Sequence, residues 1–284
     1  MERKTILLRR LGILASIPVE LYRNRRLIAR LAFNDFKTRY AGSFFGMFWA
    51  FVQPVVTIMV FWFVFEHGLR VGAEEMASGV AVPFVLFLVS GIVPWFFFSE
   101  SLNGGTAALT GYSYLVKKVV FQISILPVVK VISALFVHTF FVCFALILFI
   151  AMGRFPGLYA LQVIYYSFAL FLLVLGLSYL TCSVVVFFKD LSEIIAIVLQ
   201  VGLWMTPILW NLEGRFSDNP LVLFIFNLNP VYYVVSGYRN SLINSIGFWE
   251  RPLLSLYFWS VVVIIGLIGL LTFRRLRVHF ADVL

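Results

Sequence analysis

Six long apolar stretches alternate along the chain with short segments that hold nearly all of its Lys and Arg. Each stretch is close to the roughly 20 residues an α-helix needs to cross hydrocarbon. The pattern predicts membrane spans at about 44–65, 80–99, 126–150, 158–187, 194–212 and 252–273. The fourth is longer than a perpendicular crossing needs, which predicts a tilted helix. A further uncharged window, Asn219–Tyr238, carries Pro220, Asn227, Asn229 and Pro230. Those residues predict a broken segment that dips into the membrane rather than a span. The connection Glu213–Arg251 is long and largely apolar, and is expected to form one or two short helices in the outer leaflet.

The basic residues orient the spans. Ten Lys/Arg precede residue 44, and Arg274, Arg275 and Arg277 follow the last span. Positive charge stays on the cytoplasmic side, so both ends are expected there and the number of crossings must be even. Six crossings leave only Arg70, Arg154, Arg215, Arg239 and Arg251 outside.

Composition sharpens this reading. Hydrophobic residues make up 62% of the 284 residues and charged ones 12%, against about 25% charged in a soluble domain. The net charge of +9 flanks spans instead of forming a base-reading groove, so nucleic acid is not an expected partner. Cys143 and Cys182 lie inside apolar stretches, where they read as small hydrophobes. Arg9 and Arg10 interrupt the first apolar run, so a cleavable signal peptide is not expected. The expected division is an interfacial segment at 1–43, an all-α transmembrane domain at 44–273 and a cytoplasmic tail at 274–284.

Four segments carry candidate mechanism. Before the first span, Arg23, Arg26, Arg30, Asn34 and Lys37 recur at intervals of three and four, which gathers them on one stripe of a helix. Leu27, Ile28, Leu31, Ala32 and Phe36 supply apolar contact, and Asp35 and Arg39 are spaced for an i,i+4 pair. An amphipathic interface helix follows, serving either as an anchor to anionic lipid or as a surface that meets a phosphorylated lipid head group. After the second span, Gly104, Gly105 and Gly111 precede Tyr114-Leu115-Val116-Lys117-Lys118-Val119-Val120-Phe121. This string is either a loop that sets topology or a short helix that plugs into a cytoplasmic partner. Lys189, Asp190 and Glu193 sit on a short inside loop that reads as a solvated turn or partner contact. Aromatics reach 18%. Trp49, Trp95, Trp204, Trp210 and Trp259 are placed near span ends, as in interfacial belts. Phe48, Trp49, Trp95 and Trp204 are candidates to line a path on which sugar rings slide.

Catalytic patterns are missing. The sequence has no G-x-x-x-x-G-K-[ST], G-x-S-x-G or H-E-x-x-H string and no cysteine–histidine metal spacing. His138 stands alone in the third span and reads as a hydrogen-bonded packing residue. No relay of ionisable groups runs through the spans, which argues against proton- or sodium-coupled transport.

Taken in order, several strings resemble the permease subunit of bacterial ABC-2-type polysaccharide exporters, the family of O-antigen, teichoic acid and capsule transporters. They are Asp35-Phe36-Lys37-Thr38-Arg39-Tyr40, Gly42-Ser43-Phe44-Phe45-Gly46 with Trp49 and Pro54, and Ser90-Gly91-Ile92-Val93-Pro94-Trp95. Leu115–Phe121, Ile125-Leu126-Pro127, Phe188-Lys189-Asp190, Thr206-Pro207-Ile208, Asn229-Pro230 and Tyr238-Arg239 follow. Gln122 departs from the family pattern, which has proline after the Phe.

The resemblance implies a homodimer that pairs with two ATP-binding cassette subunits. ATP and Mg would sit on those partners, with no cofactor in this chain. Tyr114–Phe121, together with Lys189, Asp190 and Glu193, would contact the ATPase. The helix around Arg23, Arg26, Arg30, Lys37, Arg39 and Tyr40 would meet lipid-linked glycan at the bacterial cytoplasmic membrane. Two other readings share parts of the pattern: an ABC-2 permease for drugs or small lipids, and a polytopic glycosyl- or acyltransferase. The second needs an aqueous-facing carboxylate or histidine cluster, and none is visible in the sequence.

Overall fold

The structure, a computed structural model, describes residues 16–39, 41–72, 74–75, 81–117 and 121–284. The described residues are helical apart from loops and one antiparallel ladder pairing Glu74–Glu75 with Ala81–Val82. In chain order the helices are α1 (Ser16–Arg23), α2 (Arg25–Thr38), α3 (Trp49–Trp62), α4 (Phe84–Thr106), α5 (Ala108–Gly111) and α6 (Ser113–Val116). They continue as α7 (Ile125–Ala151), α8 (Gln162–Val185), α9 (Leu191–Met205), α10 (Leu212–Phe216), α11 (Pro220–Asn227), α12 (Pro230–Arg239), α13 (Pro252–Leu276) and α14 (Phe280–Val283).

Five of these, extended by short 3₁₀ or π turns, are long and apolar enough to cross a membrane: Gly46–Gly68, Phe84–Thr106, Ile125–Ala151, Gly157–Val185 and Pro252–Val283. The second starts four residues later than the pattern predicts, because Pro83 stands at its N-cap in extended conformation. It then continues past Glu100 to Thr106. The fifth predicted span differs most. α9 has only 15 residues, or about 22 Å of rise. Pro207 forces Thr206 into extended backbone (φ −79°, ψ 130°) and stops the helix there.

Helix α4 is the axis of the bundle and is buried along most of its length. It packs against α7, α8 and α12 and touches α3 and α9. α3 and α13 are outer helices with few buried side chains. Such apolar exposure suits lipid or a protein neighbour, not water. A separate apolar cluster closes one end of the bundle. It joins Ile17 of α1, Ile28 and Ala32 of α2, Ala108 and Leu109 of α5, and Val116 of α6 to the adjoining ends of α7, α8, α13 and α14. α1 and α14 therefore share that end.

Close packing of α8 on α13 rests on glycine. A Cβ on Gly269 would lie 2.4 Å from the Gly176 carbonyl oxygen, and one on Gly176 would lie 3.1 Å from the Gly266 backbone. Small residues let backbones approach where no hydrophobic drive separates helix from lipid. A Cβ on Gly266, in contrast, meets nothing within 4 Å. Gly269→Val is therefore expected to destabilise the protein by about 1–3 kcal/mol, while Gly266→Ala leaves it unchanged. Thermal unfolding in detergent checks this, and equal melting of the two variants would contradict the packing.

Candidate functional site

The closed end of the bundle gathers most of the candidate residues. On α2 the buried stripe Ile28, Ala32, Asp35 and Phe36 faces the protein, and Arg23, Arg26, Arg30 and Lys37 are exposed. The basic stripe predicted from spacing is thus exposed but divided, with Arg23 ending α1 and Arg26, Arg30 and Lys37 on α2 beyond the turn at Asn24. Leu27, expected to supply apolar contact, is exposed instead. Tyr40, Lys118 and Val119 lie outside the described residues.

Asp35 changes most between sequence and structure. Its i,i+4 partner Arg39 is 3.5 Å away, as spacing predicts. But the carboxylate is only 6% exposed, and its closer partners come from other helices. Lys130 Nζ of α7 lies 2.5 Å from Oδ1, and the Tyr112 hydroxyl donates to the same oxygen at 2.6 Å. Arg39 also pairs with Glu100 near the end of α4. The interface helix is thereby tied to α4, to α7 and to the residue between α5 and α6. Burial alone would raise the Asp35 pKa, yet hydrogen bonds from Lys130 and Tyr112 and the Lys130 charge outweigh it and hold the carboxyl below its ordinary range. Burial, then the hydrogen bond to Asp35 and its charge, pushes the Tyr112 phenol up.

The predicted partner-contact string leaves the bundle at this same end. Its described residues include one helical turn that ends at Val116, and Lys118, Val119 and Val120 lie outside the described residues. Val116 is buried, Leu115 half-buried, and Tyr114 and Lys117 are exposed. Phe121 packs against the end cluster. Lys189, Asp190 and Glu193 are exposed on the turn into α9. The Thr106–Thr181 hydroxyl bond of 2.9 Å and the Tyr179 hydroxyl's 2.7 Å bond to the Ser124 carbonyl bind the ends of α4 and α8 and the start of α7 together. Both loops thus rise from one platform.

The aromatic candidates divide. Phe48, Trp49 and Trp204 are exposed. Trp95, grouped by sequence with the interfacial belt, lies mid-helix in α4 and is buried against Gly202, where a Cβ would come within 2.8 Å of its ring. His138 is a packing residue: Nε2 lies 3.1 Å from Ser167 Oγ and 3.0 Å from the Tyr238 hydroxyl, joining α7, α8 and α12. Among the described residues no group of three His, Cys, Asp or Glu could hold a metal ion.

A second node, at the opposite end, was not visible as a unit in the sequence. The α11 and α12 axes meet at a bend of 102° in the broken segment. Asn219 and Asn229 accept bonds from Val222 and Val231 backbone N–H groups, and each precedes a proline at the first helical position. The Asn229 amide also donates to Thr206 Oγ1 at 3.1 Å. Arg239, 5% exposed, donates to the Pro207 and Ile208 carbonyls at 2.6 and 2.7 Å. Its guanidinium lies 3.7 Å from the Phe87 ring centroid. A Cβ on Gly91 would sit 2.9 Å from Arg239 Nη2, so glycine makes room for it. Four strings far apart in sequence, at Gly91, Thr206–Ile208, Asn229-Pro230 and Arg239, meet here. Each string was singled out in the sequence as part of the family resemblance, but nothing there said that the four meet.

Removing the Asp35 carboxylate should leave the Lys130 ammonium without its counter-charge. Asp35→Ala is expected to cost about 3 kcal/mol, and Tyr112→Phe about 1.5 kcal/mol for one charge-assisted bond. Because the folded pKa lies below the unfolded one, this stabilisation is full above the unfolded value of about 3.9 and is lost as pH falls through the folded value. Thermal unfolding of both variants against wild type, at neutral pH and across the acid limb, checks the pair. Unchanged melting and an unchanged acid limb in Asp35→Ala would contradict it.

Comparison with known proteins places these strings in one family. The profile described as ABC-2 type transporter matches residues 26–243. An O-antigen export system permease protein, RfbA, of Myxococcus xanthus is 27% identical over 256 residues, covering 90% of this chain and 95% of the relative. Two proteins of that name from Klebsiella pneumoniae are 25% and 24% identical, each covering 91% of this chain and 95% of the relative. The match begins in α2 and ends just beyond α12, so it spans both nodes and the helices between them. This chain is a multi-pass membrane protein of the ABC-2 type transporter family.

Proposed function

We propose that the chain is the transmembrane subunit of an ATP-driven exporter that carries lipid-linked polysaccharide, O-antigen or a related surface glycan, across the bacterial cytoplasmic membrane. The working unit is a homodimer with two ATP-binding cassette subunits, which carry ATP and Mg. The observation that bears most weight is likeness over nine-tenths of the chain to proteins named as O-antigen export permeases.

Six crossings follow if α9, though short, spans with the help of its flanking turn and α11–α12 dips in from the outer side. The shared end of α1 and α14 supports an even count. In this reading Tyr114, Lys117 and the Lys189–Glu193 turn form the surface on which the ATPase docks. Motion at that surface reaches α2 through Tyr112 and Asp35, because those groups are bonded to each other. The exposed Arg26, Arg30 and Lys37 hold the anionic linkage of the cargo, since guanidinium and ammonium groups pair with phosphate oxygens. Weak repeated contacts with the exposed rings of Phe48, Trp49 and Trp204 let the glycan slide where tight bonds would stall it.

Charge reversal at Lys117 and Lys118 is expected to weaken ATPase association by about tenfold or more. Co-purification and ATP turnover of the assembled complex measure this, and unchanged values would remove the docking surface from the proposal. Loss of lipid-linked glycan at the cell surface in a deletion strain, restored by co-expression with the ATPase, tests the cargo. Normal surface glycan in the deletion would sink it.

A further inference from the structure

One stripe of α13 passes from apolar to strongly basic. Val262, Gly266, Leu270 and Arg274 follow one another at intervals of four, and Arg277 comes one turn later. The first three line a cleft of about 200 Å³ whose other walls include Leu172 and Leu175 of α8 and Ile17 and Leu21 of α1. Arg274 and Arg277, with Glu20 and Arg23 of α1 and Gln122, line a neighbouring cavity of about 380 Å³. α1 runs between the two, with Ile17, Pro18 and Leu21 on the face toward the cleft and Val19, Glu20 and Arg23 on the opposite face toward the cavity, so an occupant of both straddles it.

The cavity has an excess of cation. Three guanidinium groups face one carboxylate, and the ion pairs among the described residues use Asp35, Glu100 and Glu213, not Glu20. Nη1 of Arg274 is buried with no hydrogen-bond partner among the described residues. A buried donor of this kind calls for an acceptor. Gln122 is held in place by the Asn24 amide, which donates to its Oε1. The Gln122 amide nitrogen is left to donate elsewhere. Gly266 keeps the cleft open, since a Cβ there meets nothing within 4 Å.

We propose that the two cavities together hold one anionic membrane lipid, its phosphate on Arg23, Arg274 and Arg277 and an acyl chain in the cleft between α1, α8 and α13. A free anion would leave the apolar cleft without a purpose, and a neutral lipid would leave the arginines unpaired. Guanidinium forks match phosphate oxygens in pairs, which lysine could not do. The lipid would pin the short N-terminal helix to the last long helix, and Arg23 belongs to this resident lipid rather than to the approach of cargo. The site stands whether or not the cargo is a glycan.

Native mass spectrometry of the full chain in detergent tests this, with phosphatidylglycerol, with diacylglycerol of the same chains, or with inorganic phosphate alone. For the tightest-bound molecule, phosphatidylglycerol is expected to win over diacylglycerol by at least about tenfold. Arg274→Gln with Arg277→Gln should abolish that preference. Gly266→Leu, whose side chain fills the cleft, should weaken both lipids. The rise in melting temperature on adding phosphatidylglycerol should shrink in both variants. If the double variant does not fold, Arg274→Gln alone and Gly266→Leu carry the test. Equal binding of the two lipids by wild type, or an unchanged preference in the arginine variants, overturns the proposal. Inorganic phosphate binding as tightly as phosphatidylglycerol, with Gly266→Leu without effect, assigns the cavity to a free anion and overturns it too.

Discussion

Hydrocarbon offers no water to a peptide carbonyl, so every break in a helix near the membrane must bring its own donor. That constraint organises the end of the bundle where α9 stops. Pro207 ends the helix and leaves the Pro207 and Ile208 carbonyls outside any ladder, and Arg239 arrives from α12 to satisfy both. Asn219 and Asn229 do the corresponding work for the donors of α11 and α12. A buried arginine is costly unless its donors are met. Arg239 meets two carbonyls and an aromatic face, and the carbonyls are open to it because the helix was broken.

At the other end the organising group is a carboxylate. Asp35 sits on an amphipathic helix, where a charge would ordinarily be solvated. It turns inward because α7 and the segment between α5 and α6 offer Lys130 and Tyr112. The same carboxylate joins the helix bearing the basic stripe to the helical turns leading to the exposed Tyr114–Lys117 segment. The link between the two is made of direct hydrogen bonds. The apolar cluster beneath includes Ile28, Leu109, Tyr179 and Phe273 and packs this end together.

Between the two ends, glycines set how closely some of the helices approach. Gly176 and Gly269 bring α8 and α13 to backbone contact, and Gly202 admits the Trp95 ring between α9 and α4. Such positions look alike in sequence. Gly266 lies three residues from Gly269 on the same helix, yet its α-carbon opens on free space.

Much of the architecture was legible in the chain. Apolar windows located the long helices, because the length of hydrocarbon to be crossed fixes a length of sequence. Asn-Pro pairs marked the starts of α11 and α12, because side-chain capping and a missing amide are local effects. The basic face of α2 was legible for the same reason, since helical periodicity alone puts Arg26, Arg30 and Lys37 together. What the chain could not disclose was the partner of each isolated polar group. Asp35 and Lys130 are 95 residues apart and Arg239 and Pro207 are 32 apart. The burial of Trp95 likewise depended on Gly202 of another helix. Local pattern follows from the geometry of one helix, whereas these pairings follow from how several helices cross, which only the tertiary structure decided.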